Sequence, residues 1–157
     1  MRSSATLAAI AVLLGVLVSC RPAPDPQTTL AVEALARGDL ARARTLYEAG
    51  ADVDARFRDG LTTLMIAAAA GRPASVALLL ELGADPEIRR DDGGTALMCA
   101  VRRGRAGAAR RLIEAGAELD ARDHEGRTAL DLARARKDRT MVDLLRAFGA
   151  RPSGRRE

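Results

Sequence analysis

The sequence predicts an all-α solenoid of about four stacked helix-turn-helix units, with hairpin or finger loops projecting between them. A 33-residue period carries most of that expectation. Gly50-Ala51, Gly83-Ala84, Gly116-Ala117 and Gly149-Ala150 recur at this step, as do Thr62, Thr95 and Thr128, then Leu64, Leu97 and Leu130, then Leu46, Leu79, Leu112 and Leu145. Unrelated residue types sharing one period mark a structural unit copied along the chain. Composition agrees. Of 157 residues, 48% are apolar, yet there is no Trp, one Tyr and two Phe, so the core must be built from Ala, Leu, Val and Ile. Small helix formers suit stacked helices better than sheets. Stacked units present an extended surface, which points to binding rather than to catalysis.

The chain opens with an address rather than a repeat. Arg2 precedes an apolar run from Ala5 to Val18 that has no polar face and ends at Ser19-Cys20. A positive start and an apolar stretch of this length read as a secretory signal over residues 1–19. The run is too short to span a bilayer comfortably, since about 20 residues are needed. Leu17-Val18-Ser19-Cys20 resembles the bacterial lipobox. That resemblance implies that Cys20 takes the lipid on its sulfur and becomes the first mature residue. Arg21 stands where some bacteria carry an Asp for inner-membrane retention, which leans toward the outer membrane. Residues 20–27 then form a tether whose three prolines favour extended geometry. Its reach, on the order of 20 Å, keeps the folded part close to the membrane. Two cysteines in an exported chain can pair. If Cys20 is acylated it cannot, and Cys99, lying within a helical run, is a small buried residue; this second reading is preferred.

The repeat domain spans residues 28–150, with units at 28–57, 58–90, 91–122 and 123–150. The first begins directly with a helix and caps the N-terminal end. In the second, Thr62 is placed to N-cap a helix. Leu64, Ala67 and Ala68 share its buried face. Gly71 ends it and Pro73 opens the next helix. Val76, Leu79 and Leu80 are expected to form the second helix's buried face, and Gly83 closes it. The polar stretch after Asp85 projects as a hairpin or loop. In the last unit Arg134 and Arg146 replace apolar residues of earlier copies, giving the polar outer face that an end cap needs. Residues 151–157 are a basic tail.

These units carry a family resemblance. Gly60-Leu61-Thr62-Thr63-Leu64, Gly93-Gly94-Thr95-Ala96-Leu97 and Gly126-Arg127-Thr128-Ala129-Leu130 resemble the ankyrin-repeat opening, Gly-x-Thr-Pro-Leu-His. The closings 79–85 and 112–118 are similar to its Leu-Leu-x-x-Gly-Ala-Asp. The family's Pro is replaced by Thr63, Ala96 and Ala129, and its His by Met65, Met98 and Asp131, so the usual inter-repeat histidine hydrogen bonds are expected to be absent.

The resemblance implies that partners meet the finger tips and the exposed side of each unit's first helix. By position, that surface holds Arg56, Phe57, Arg58, Asp59 and Leu61. It continues with Arg89, Arg90, Asp91, Asp92, Arg102 and Arg103, then Arg122, Asp123, His124, Glu125, Arg127 and Arg136, with Arg37 at the N-terminal edge. Arg56, Arg89 and Arg122 repeat in register, as do Asp59, Asp92 and Glu125. Charges in water at these places are family background and contribute little singly. Phe57 and Leu61, an apolar pair on one tip, are a candidate hot spot, with inter-repeat packing of Phe57 as the alternative.

Loops 52–60, 85–92 and 118–126 each sum negative, while 94–117 and 127–150 sum positive. Such polarity can steer a partner of opposite pattern. The leading reading is a non-catalytic, lipid-anchored periplasmic module, expected to be monomeric, acting as scaffold or as inhibitor or immunity protein. The alternative is binding of anionic lipid or lipopolysaccharide phosphate through Arg102, Arg103, Arg105, Arg110 and Arg111. Nucleic acid is disfavoured by export and by the lack of aromatic platforms. One His and two Cys leave little material for a metal site, and no cofactor is expected. His124-Glu125 beside Asp123 is the one arrangement suggesting acid–base work, and it falls on a loop tip.

Overall fold

A computed structural model describes residues 24–154. Four helix-turn-helix units follow one another: α1 (Pro26–Arg37) with α2 (Leu40–Glu48), α3 (Thr63–Ala70) with α4 (Pro73–Glu81), α5 (Ala96–Arg102) with α6 (Ala106–Glu114), and α7 (Ala129–Ala135) with α8 (Arg139–Ala147). First helices α3, α5 and α7 pack side by side, and second helices α2, α4, α6 and α8 form a parallel row behind them. The shared positions fill the space between the rows. Leu64, Leu97 and Leu130 are buried, as are Ala67, Ala100 and Ala133, and Leu79, Leu112 and Leu145. Within α4 the buried pair is Val76 and Leu79, and Leu78 is more deeply covered than the expected Leu80.

The first helices α3, α5 and α7 each start on a threonine. Thr62, Thr95 and Thr128 accept from the N–H groups of Met65, Met98 and Asp131. Asp131 returns the bond to Thr128, closing a capping box. α1 starts two residues earlier than the sequence suggests. Asp25 caps it and Pro26 occupies its first turn, so Asp25-Pro26-Gln27 is a helix start rather than the end of the tether. Cys20 and residues 20–23 of the proposed tether lie outside the described residues.

The methionines that replace the family's histidines are buried. Two other sets of hydrogen bonds join the units instead. At the loop edge, where first helices end, Arg72 Nη1 donates to the carbonyls of Leu35 and Ala36, both at 2.6 Å. Arg105 Nε reaches the Ala69 carbonyl at 3.3 Å and Arg136 Nη1 the Arg102 carbonyl at 2.8 Å. A guanidinium suits this place, because the last carbonyls of a helix lack internal donors and carry its negative dipole end. At the finger edge the signs reverse. Asp54, Glu87 and Asp120 accept from the backbone N–H groups of Asp85, Glu118 and Arg151 at 3.0, 2.7 and 2.7 Å. The Thr28 hydroxyl accepts from Asp52 N–H at 2.8 Å in the first unit.

The fingers are tight turns closed by Phe57 N–H to the Leu61 carbonyl, Arg90 to Gly94 and Asp123 to Arg127. Neighbouring fingers are joined backbone to backbone: Asp91 N–H donates to the Asp59 carbonyl, and His124 N–H to that of Asp92. Gly93 must be glycine here. Its φ is +78°, and a Cβ would come within 2.9 Å of the His124 backbone nitrogen.

The start of the basic tail is part of the fold. Arg151 continues the finger-edge ladder, and Ser153 N–H donates to Asp131 at 3.0 Å. Burial alone would raise the Asp131 pKa. Hydrogen bonds from Ser153 and Thr128 outweigh it and bring the carboxyl down to about 2. A folded value below the unfolded one, about 3.9, means that this stabilisation is complete above that pH and lost as pH falls through the folded value. Asp131→Asn is therefore expected to cost about 1–2 kcal/mol at neutral pH. It should also flatten the fall in urea midpoint between about pH 4 and pH 2. An acid limb identical to the parent's would contradict this assignment.

Candidate partner-binding surface

The finger row and the adjoining face of the first helices carry most of the expected partner-binding residues, and the structure divides them by use. The arginines that recur in register join fingers. Arg56 donates to the Arg89 carbonyl, and Arg89 Nη1 to the Arg122 carbonyl at 2.6 Å. Arg122 turns back to the Gly126 carbonyl at 3.1 Å. Their guanidinium groups remain exposed, but each is already fixed by a backbone acceptor.

Phe57 is not an exposed tip residue. It is 3% exposed and packs with Val32 and Ala55, with Leu61 and Ile66 at the margin. The finger turns its first side chain inward over the first-helix row, and an aromatic there completes a small N-terminal core. The candidate hot spot is therefore a packing site, and Leu61, half-buried beside it, belongs to the same cluster. The next two units place Arg90 and Asp123 in the same register, and both face a similar interior.

That substitution builds a chain of charges. Asp92 meets Arg90 at 3.7 Å and Arg102 at 2.8 Å. Arg102 Nη2 bonds Asp123 at 3.0 Å, Asp123 bonds Arg127 at 2.9 Å, and Arg127 reaches Glu125 at 2.6 Å. The Asp123 side chain is 1% exposed. Its second oxygen also accepts from the Glu125 and Arg127 N–H groups, which fixes the turn. Burial raises the Asp123 pKa, but the Arg127 backbone and side-chain bonds prevail and hold it low. Asp92 is likewise held low against burial by Gly94 N–H and Arg102. Arg102 is raised in turn, since Asp92 and Asp123 outweigh its own desolvation. Arg102 thus lies back along α5 as a bridge between two fingers.

Arg58, Asp59, Asp91 and His124 are exposed at the tips, and Arg103 is exposed at the end of α5. The His124 ring lies over Gly93, while Glu125 is engaged by Arg127. Arg136 is exposed but anchored to the Arg102 carbonyl. Cys99 is buried beneath Arg90, and burial pushes its thiol pKa up. Among the described residues no group of three or more His, Cys, Asp or Glu could hold a metal ion.

Sequence reasoning missed two features. Asp123 was legible as a tip charge but not as a buried ion hub. The other is a groove on the second-helix row between α6 and α8, flanked by Arg110 and Phe148. A signal for it existed: Phe148 stands where the two preceding copies have Leu82 and Ala115.

Comparison with protein families gives two matches, both to models of ankyrin repeats. The three-copy model matches residues 64–155 and the many-copy model residues 31–80. Comparison with curated proteins returns no match. The matched segments cover the same helix pairs and fingers that the 33-residue period delimits, and the chain belongs to the ankyrin-repeat family.

Proposed function

We propose that this protein is a non-catalytic binding module, lipid-anchored through Cys20 on the periplasmic side of a bacterial envelope. There it would hold one protein partner as a scaffold, or as an inhibitor or immunity protein. The ankyrin repeats support protein–protein interaction in general. The observation that carries the finer reading is the lipobox Leu17-Val18-Ser19-Cys20 placed directly before a repeat array. The free tips Arg58, Asp91 and His124 form the surface offered to the partner.

Chain geometry favours a protein over the anchoring lipid as the target of the loop-edge arginines. The N-terminus of α1 lies at the finger edge, beside Asp52, and its C-terminal carbonyls meet Arg72 at the loop edge. A helix of 12 residues separates them by about 18 Å. A tether arriving at Pro26 brings the finger edge toward its own membrane and leaves Arg103 and Arg105 at the far end.

Mass spectrometry of the mature N-terminus should find acylated Cys20, and Cys20→Ser should move the domain from the membrane to the soluble fraction. An unmodified Cys20 removes the anchoring claim. Pull-down from an envelope fraction should enrich one protein, and an Arg58→Ala, His124→Ala double variant should release it. Equal capture by that variant would move the contact off the fingers.

A further inference from the structure

The turns between first and second helices form the loop edge, and one of them is strained. In the first three units Gly38, Gly71 and Gly104 adopt left-handed backbone there, with φ of +81°, +72° and +65°. Their counterpart in the last unit is Lys137, the chain's one lysine, held at φ +58°. A Cβ is disfavoured in this conformation, and glycine meets no such penalty. The turn needs the conformation and not the side chain: Lys137 N–H bonds the Arg134 carbonyl as Gly104 N–H bonds that of Val101. The lysine side chain is exposed, and no ion pair among the described residues uses its ammonium. A strained residue that the local packing does not require points to a use outside the fold.

Lys137 extends a basic strip. The third and fourth turns touch, since a Cβ on Gly104 would stand 3.0 Å from Arg136 Nη2. Arg105 and Arg136 are committed to the Ala69 and Arg102 carbonyls. Arg103 and Lys137 remain exposed and free of ion pairs among the described residues, and Arg139 stands exposed at the start of α8. Asp138 is the one carboxylate in these two turns, and its Oδ1 accepts from Met141 N–H at 3.0 Å. The strip stops at the third unit. In the first turn Arg37 pairs with Glu33 and is followed by Asp39. In the second, Arg72 is bound to the Leu35 and Ala36 carbonyls.

We propose that this strip receives an acidic segment of the partner protein, whose carboxylates meet Arg103, Lys137 and Arg139. Charge complementarity selects the chemistry: three free cations face one carboxylate that already caps a helix. Extent and direction select a protein over a membrane. Packed helices lie about 10 Å apart, so two adjacent turns make a short strip and not a plane. A flat anionic surface would meet all four turns, and the first two offer it an ion pair and a guanidinium already bound. The tether enters at the finger edge, which turns the strip away from the anchoring membrane. The inference rests on the binding-module reading and gives its partner a chemical character.

The test uses the full chain in nonionic detergent and a fluorescent peptide of alternating glutamate and serine. Anisotropy should show binding at least about tenfold tighter than for the glutamine counterpart. Lys137→Gly should weaken it about fivefold and at the same time raise the urea midpoint, because glycine relieves the left-handed strain. A firmer fold with weaker binding is a pair of changes that a misfolded variant cannot produce. Arg103→Gln should weaken binding by a similar factor. Arg110→Gln removes the same charge from the second-helix row and should leave binding unchanged. Equal binding of the glutamine peptide overturns the proposal. So does an equal loss with Arg110→Gln, which would mean net charge and not the strip, or indifference to Lys137→Gly. A Lys137→Gly protein no more stable than the parent removes the strain and with it the proposal. Lys137-dependent binding to phosphatidylglycerol vesicles without peptide binding would assign the strip to lipid and would also overturn it. If the pull-down partner is lost with the finger variant while peptide binding ignores Lys137→Gly, the module stands and this inference fails. Strip-dependent peptide binding with no partner in the pull-down would do the reverse.

Discussion

Phe57→Ala is expected to lower the unfolding free energy by about 3 kcal/mol. Phe57 is among the few aromatic side chains in the chain, and it is the largest member of a cluster holding only Val32, Ala55, Leu61 and Ile66. Its loss opens a cavity that these four neighbours are too few to fill by relaxing. The cluster joins α1, the first finger and α3, so the damage should concentrate at the N-terminal unit. Because a repeat array is stabilised by each unit and its neighbours, the first unit should then fray before the rest. Urea unfolding followed by circular dichroism should show a lower midpoint and a broader transition. Hydrogen exchange should quicken in α1 and α2 while α5 to α8 keep their protection. Phe57→Leu should restore most of the loss. A Phe57→Ala protein that unfolds like the parent yet loses its partner would return Phe57 to the role of an exposed hot spot.

Why the sequence misplaces Phe57 is instructive. The period reads well wherever copies agree, because agreement comes from the shared packing of Leu64, Leu97 and Leu130, or of Ala67, Ala100 and Ala133. Helix starts were legible for the same reason: a threonine before an apolar run has one local role. Phe57, Arg90 and Asp123 occupy one register with three chemistries, so comparison of copies suggests an exposed, variable tip. The position is instead an interior slot whose surroundings changed with it. Ile66 and Leu61 face the phenylalanine, whereas Arg102 and Arg127 face the aspartate. Such compensation is nonlocal; Arg102 lies 21 residues from its partner, and no spacing rule announces it. The groove beside Phe148 escaped for a related reason, since it is lined by residues from two successive units.

Charge polarity also acquires a physical origin. Acidic fingers and basic helical segments read in the sequence as a field that can steer a partner. Much of it answers the backbone. Asp54, Glu87 and Asp120 receive N–H groups where each unit begins its finger, and Arg72, Arg105 and Arg136 supply donors to carbonyls where each first helix ends. These bonds stand in for the missing histidine contacts between units. Arg58, Asp59 and Asp91 on the tips are among the exposed charges that these bonds do not use.

The interior slot of the third finger should be the most sensitive polar position. Asp123→Ala is expected to cost about 2–4 kcal/mol at neutral pH. The aspartate accepts from two backbone N–H groups, from Arg127 twice and from Arg102 once. Truncation leaves Arg102 with Asp92 alone and leaves the turn without its acceptor. Asp123→Asn keeps an oxygen for the turn and removes the charge, so it should cost about half as much. A cycle with Arg102→Met should be non-additive, because Arg102 has less to lose once Asp123 is gone. The pH dependence has a definite sign. The Asp123 carboxyl is held below its ordinary value in the folded state, so its contribution is complete above the unfolded value of about 3.9 and declines below it. Parent and Asp123→Ala stabilities should converge as pH drops through that window, with the difference appearing at neutral pH and fading in acid. A difference constant from neutral pH down into acid would mean that the lost turn bonds, and not the buried charge, account for the effect; no difference at neutral pH would remove Asp123 as the hub that ties the third finger to α5.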